Sequence, residues 1–168
     1  SGASAAGNDT MDGGAITDRL NYTDNNVVSY FSTTTNGVVI NMAGITGDGS
    51  TGQGTVTSTS TVAGNSGTDV IRNINFVEGT NQNDTITGSS ALIFEQLEGL
   101  GGNDRLDGGA ITDLVNTDNA NRVSYRFAGA GVTVDLAAGT ANTKDANAAG
   151  NSGSDTLINF SQVRGSAH

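Results

Sequence analysis

The sequence predicts an all-β chain wound as a parallel β-helix, and three observations carry that expectation. Two stretches nearly superimpose, GNDTMDGGAITDRLN at 7–21 and GNDRLDGGAITDLVN at 102–116, each with glycine pairs and single aspartates at fixed offsets. Asp104 and Asp113 stand nine residues apart. That step is too short for the hairpins of an ordinary sandwich and suits one strand and one turn of a coil. No window shows the apolar stripe of a helix, whereas short alternating runs recur between glycine- and asparagine-rich breaks.

Taken in order, the first motif leads into Val28-Ser29-Tyr30 and then Val38-Val39-Ile40, both read as short strands. A long loop over 43–63 follows and ends in the threonine-rich run at 55–61, which reads as a solvated insert. GNSGTD at 64–69 opens a strand at Val70-Ile71, and Asn83-Asp84 closes the next turn. Residues 91–97 read equally as one helical turn or as an irregular turn about two residues over length, and the second motif then begins. The duplication extends beyond the motif itself. Val123-Ser124-Tyr125 repeats the first VSY, residues 131–136 repeat 37–42, and GNSGSD at 150–155 repeats GNSGTD. The expected organisation is therefore two units, 1–88 and 89–168, in one continuous stack. Because His168 matches Gln82 in mid-turn, the chain is expected to be a piece of a longer array whose neighbouring repeats stack on it. Tyr30 and Tyr125 fall in matching strands and are expected to pack structurally.

Composition narrows the function. Hydrophobic residues make up 35% and aromatics 5%, while glycine occurs 25 times, so apolar burial needs help from another source. Net charge is −10 with few, scattered cations, which argues against nucleic acid. Cysteine is absent, so disulfides and thiolate metal sites are excluded. No segment approaches the ~20 apolar residues of a membrane span. The single histidine, His168, removes histidine-based triads and most zinc sites. Glu95 and Glu98 have no basic partner nearby in sequence and read as exposed charge.

Of the 17 acidic residues only Glu78, Glu95 and Glu98 are glutamates. Short aspartates beside glycine suit tight turns, and their carboxylates suit calcium. Successive coils of a parallel β-helix lie ~4.8 Å apart, so turns one coil apart stack. Two carboxylates held ~5 Å apart repel by about 3 kcal/mol at an effective dielectric near 20. Calcium between turns would reverse that sign, using carboxylate and backbone carbonyl oxygens as its hard ligands. Folding and calcium binding are then expected to be one event.

The segment 99–107 reads Gly99-Leu100-Gly101-Gly102-Asn103-Asp104-Arg105-Leu106-Asp107 and continues as Gly108-Gly109-Ala110-Ile111-Thr112-Asp113. It resembles the RTX, or hemolysin-type, calcium-binding repeats of proteins exported by bacterial type I secretion. The resemblance implies a right-handed parallel β-roll with calcium between its turns, in a chain that folds outside the cell. It maps aspartate ligands to Asp9, Asp18, Asp84, Asp104 and Asp113, with Asp69 and Asp155 following from GNSGTD and GNSGSD. Carbonyl ligands would come from Gly13, Ala15, Gly99, Gly101, Gly108 and Ala110. Asp84 and Asp104 are expected to share an ion, and Asp24 or Asp118 to assist in a neighbouring turn. Ile16, Ile111 and Leu100 stand where the family has glycine. Positive φ is unfavourable for them, so those turns should be reshaped and the ions few.

The leading expectation is a non-catalytic, calcium-dependent extender segment of a secreted or surface adhesin-type protein. The alternatives are an accessory or secretion module of a secreted hydrolase or epimerase, and a glycan- or ice-binding module using loops 43–63 and 137–149.

Overall fold

The computed structural model describes residues 7–18, 24–31, 36–59, 67–111, 120–143 and 153–168. Among these residues there is no helix. The first copy contains β1 (Thr10–Asp12), β2 (Val27–Ser29), β3 (Val38–Asn41), β4 (Ile45–Thr46), β5 (Thr51–Gly52), β6 (Gly54–Ser58), β7 (Thr68–Arg72) and β8 (Phe76–Glu78). Then come β9 (Thr85–Thr87) and β10 (Glu95–Glu98), followed by β11 (Arg105–Asp107), β12 (Asn121–Ser124), β13 (Val132–Asp135), β14 (Thr140–Thr143), β15 (Ser154–Ile158) and β16 (Gln162–Arg164).

Two sheets enclose one core. The larger has the order β1-β7-β6-β3-β9-β11-β15-β14-β13, and the smaller β16-β12-β10-β8-β2. The smaller is parallel throughout. The larger is parallel at β1-β7, β3-β9, β9-β11 and β11-β15. Each copy also makes an antiparallel excursion, β3-β6-β7 in the first and β13-β14-β15 in the second. The duplication is thus visible in strand order: β1-β7-β6-β3 recurs as β11-β15-β14-β13, with β9 joining the two sets.

The apolar residue two places after each turn aspartate sets the register. Ile86, Leu106 and Leu157 stack in one row, which Ile40 of β3 extends although Val38 stands in its aspartate position, while Met11 pairs with Ile71. From the opposite sheet come Val28, Val77, Leu97 and Val123, also in register. Both rows belong to a single buried cluster. Each fully buried aliphatic side chain contributes about 1.5–3 kcal/mol. A slip of one residue would turn a whole row outward, so these rows also fix which turns lie side by side.

Two expectations need correction. The all-parallel reading omits the antiparallel excursions. The threonine-rich run is also not a solvated insert where it is described, because β6 is an interior strand with Val56 1% exposed, and only alternate threonines face out. Its counterpart in the second copy is β14. The extra length of the first copy lies in the β4-β5 hairpin, anchored by fully buried Ile45. Alternation alone did not reveal β6, since threonine fills its outward positions, Thr55 and Thr57.

Leu100 does adopt a positive φ, of 75°, whereas Ile16 does not and instead enters the core. A non-glycine residue in the left-handed region costs about 1 kcal/mol or more. Leu100→Gly is therefore expected to raise stability by roughly 0.5–1 kcal/mol after glycine's own entropy cost. Chemical denaturation at saturating calcium would measure it.

Candidate metal centre

The register places Asp9, Asp69, Asp84, Asp104 and Asp155 along one edge of the larger sheet, where the turns enter β1, β7, β9, β11 and β15. The last four are buried, at 4% exposure or less, while Asp9 is exposed at the end of the first strand. A ladder of charge-assisted hydrogen bonds joins them. Asp9 N–H donates to Asp69 Oδ1, Asp84 N–H to Asp104 Oδ1 and Asp104 N–H to Asp155 Oδ1, each at 2.9 Å. Val38 N–H continues the pattern to Asp84 Oδ1 at 2.7 Å. One residue earlier, a parallel ladder runs outside the first. Asn8 Oδ1 accepts from Thr68 N–H, Asn83 Oδ1 from Asn103 N–H, and Asn103 Oδ1 from Ser154 N–H. The Asn-Asp dipeptide thus supplies side-chain acceptors to backbone donors in the neighbouring coil.

The second oxygen of each carboxylate separates the four buried aspartates. Asp69 Oδ2 accepts Tyr30 O–H, and Asp155 Oδ2 accepts Tyr125 O–H, both at 2.9 Å. Asp84 Oδ2 accepts Thr80 N–H at 2.6 Å and Thr80 Oγ1–H at 3.2 Å. Asp104 Oδ2 is buried and has no hydrogen-bond partner. Burial pushes Asp84 up to about 6 and Asp155 up to about 7. Asp104 rises furthest, to about 9, through burial first and then the charge of Asp155. Repulsion between those two falls chiefly on Asp104 because Asp155 keeps the Tyr125 hydroxyl. Removing that donor should be costly: Tyr125→Phe is expected to destabilise the fold by about 1–3 kcal/mol, read by thermal or urea unfolding.

Glycines shape the space around these oxygens. A methyl group on Gly99 would strike Asp104 Oδ2. One on Gly79 would strike Asp84 Oδ2 and lie 2.8 Å from the Gly99 carbonyl oxygen. Carboxylate and carbonyl oxygens of adjacent turns therefore converge where side chains are missing.

The model of the RTX calcium-binding nonapeptide repeat matches the chain in four copies, over residues 5–20, 73–91 and 95–121. These segments match RTX calcium-binding repeats. No curated protein and no solved structure matches it.

The RTX segments include Asp84 and Asp104 but exclude Asp69 and Asp155, the two aspartates that tyrosine hydroxyls satisfy. Calcium takes six to eight hard oxygens. An orphaned carboxylate oxygen, glycine cradles and an all-oxygen donor set fit it. The residues that would hold it are Asp84, Asp104 and the Gly99 carbonyl. No group of three or more acidic, histidine or cysteine side chains gathers among the described residues. Backbone carbonyls must therefore supply much of any RTX site here.

Other candidates are less well placed. Gly101 is buried in the same turn, where its N–H donates to Thr80 O at 3.1 Å. On the opposite edge, Gly13 and Ala15 are exposed, Gly108 is buried and Ala110 is exposed. Asp18 is half-buried beside Asp24, whose Oδ2 accepts Thr17 N–H, Thr17 Oγ1–H at 2.8 Å and Asp18 N–H at 3.4 Å. Asp113 and Asp118 lie outside the described residues.

Both glutamates read as exposed charge are buried: Glu95 at 1% and Glu98 at 2%. Glu98 accepts Ser124 Oγ–H at 2.8 Å and Phe127 N–H at 2.9 Å, beneath the turn that follows β12. A signal for Glu95 was present. Glu95-Gln96-Leu97-Glu98-Gly99 has the spacing of Asp84-Thr85-Ile86-Thr87-Gly88, with glutamate in the aspartate position. Both tyrosines sit one residue beyond their strands, and their hydroxyl bonds to the aspartates had no local sequence signal.

Proposed function

We propose that this calcium-binding repeat module is a right-handed β-roll solenoid that orders when ions bridge its stacked turns. It serves as an extender segment of a secreted or surface adhesin-type bacterial protein, without catalysis of its own. The observation that carries this reading is Asp104 Oδ2, a buried carboxylate oxygen with no donor among converging carbonyl and carboxylate oxygens. A buried ionised oxygen without compensation costs several kcal/mol, and a divalent cation offsets that cost. Millimolar calcium at extracellular-type affinities of 10⁻⁴–10⁻³ M contributes roughly 0.5–2 kcal/mol per site. Circular dichroism during a calcium titration should pass from coil to β in the millimolar range, with magnesium a poor substitute. A spectrum indifferent to calcium would remove the proposal. Neighbouring repeats of the parent protein would stack on the terminal strands.

One observation favours glycan binding as a second reading. A cleft of about 420 Å³ is lined by Phe31, Leu100, Phe127, Ser29, Glu78 and Asn81. Phe31 is 59% exposed and Phe127 55%, and aromatic faces beside polar side chains suit a sugar ring. A glycan array with wild type and a Phe31→Ala, Phe127→Ala pair would test it. Binding lost in the pair supports the reading, and no binding by wild type removes it.

A further inference from the structure

The outer face of the smaller sheet gathers positive charge in a chain that has little of it. Val28, Val77, Leu97 and Val123 face the core, so the residues beside them in each strand face outward. The register sets these outward residues in two rows. One runs Val27, Phe76, Gln96, Arg122 and Gln162, and the other sets Ser29 beside Glu78, Glu78 beside Glu98, and Ser124 beside Arg164. Three of the seven cationic side chains, Arg122, Arg126 and Arg164, line one cleft of about 260 Å³ on this face.

The three arginines are placed differently. Arg126 is already paired, with Glu78 Oε1 at 2.8 Å and Glu98 Oε2 at 3.8 Å. Arg122 is held by neutral groups: its Nε donates to Gln96 Oε1 at 2.8 Å, and its guanidinium lies 4.7 Å from the centre of the Phe94 ring. Those contacts orient the guanidinium without neutralising it. Arg164 is exposed and makes no ion pair among the described residues. Against these three cations the cleft presents one acid, Glu78. It is locally positive, and salt screens charges more than ~8 Å away, so the chain's net charge of −10 does not cancel it. A guanidinium fork meets an oxyanion with two parallel hydrogen bonds. The aromatic cleft lies directly alongside. Glu78 lines both, and the Arg126 guanidinium stacks 4.1 Å over the Phe127 ring. Together the two clefts fall in the ~300–1,000 Å³ range of ligand-binding sites.

We propose that this face takes an acidic oligosaccharide, with a sugar ring against Phe31 and Phe127 and a carboxylate or sulfate on Arg122 and Arg164. The inference rests on the glycan reading above and adds to it the charge of the ligand. The test is a glycan array, in saturating calcium, of matched carboxylated, sulfated and neutral oligosaccharides with an oligo-aspartate peptide beside them. Wild type should retain acidic sugars about tenfold or more tightly than their neutral counterparts or the peptide, and sodium chloride should weaken the binding. The carboxylated and sulfated arms show which anion the arginines hold. Arg122→Gln with Arg164→Gln should lose the preference for acidic sugars while keeping the wild-type circular dichroism in calcium. If Arg122→Gln disturbs the sheet, Arg164→Gln alone, at the exposed end of β16, should still weaken acidic sugars several-fold. Neutral sugars bound as tightly as acidic ones, or acidic sugars bound unchanged by the arginine variants, would overturn the assignment and leave the glycan reading standing. Oligo-aspartate held as tightly as the acidic sugars would overturn it too, reducing the cleft to a general anion site. An array on which wild type binds no sugar would remove both readings.

Discussion

Asp104→Asn should change the sign of its effect with calcium. In chelator at pH 7.5, the variant is expected to be more stable than wild type by several kcal/mol. Asp104 is pushed up to about 9 by burial and by Asp155, against an ordinary value of 3.8. Each unit of such a shift is about 1.4 kcal/mol of cost to the folded chain at a pH where the unfolded chain ionises freely. Asparagine keeps an oxygen for the Asp84 N–H and stays neutral without the proton that Asp104 must take up on folding. In calcium the order reverses, because the substitution deletes a charged ligand, and the calcium midpoint should rise about tenfold or more. The β signal that each protein retains in chelator, together with urea unfolding of both at saturating calcium, measures this. A variant less stable than wild type in both conditions would mean that Asp104 serves only as a hydrogen-bond acceptor.

Acidification should restore order to the calcium-free chain. Asp84 at about 6, Asp155 and Glu95 at about 7, and Asp104 at about 9 all lie above their ordinary values, with burial the leading cause in each. The folded state therefore binds protons more tightly than the unfolded state. Its stability is greatest near and below the ordinary carboxylate range and is lost as pH rises through about 6 to 9. In chelator, the β signal should be stronger at pH 5 than at pH 8. Calcium competes with those protons, so the same change should weaken calcium binding and raise its midpoint. A calcium-free chain better ordered at pH 8 than at pH 5 would show that these carboxylates are not held in the buried column described.

The repeated aspartates made much of this legible. Asp84 with Ile86 and Asp104 with Leu106 set a turn and an inward residue together, and the repetition of that pair stacks the turns. Alternation located β3, β7 and β13, since one apolar row must face the core. Longer-range contacts were not legible. Tyr30 meets Asp69 across 39 positions, and Tyr125 meets Asp155 across 30, bridges that exist only once the two sheets close. Glu98 looked solvated because Phe127 and Arg126, which cover it, arrive from a later coil. The β6 excursion was hidden because threonine reads equally as exposed loop or as the outward half of a strand.

Far-UV circular dichroism of the intact chain at pH 8, in excess EGTA and then in millimolar calcium, tests the central claim most directly. The expected result is a largely unstructured spectrum in chelator that becomes β on calcium addition and reverts on its removal. A chain that keeps its full β spectrum after exhaustive chelation would contradict it, for then the polypeptide tolerates its buried carboxylate column unaided.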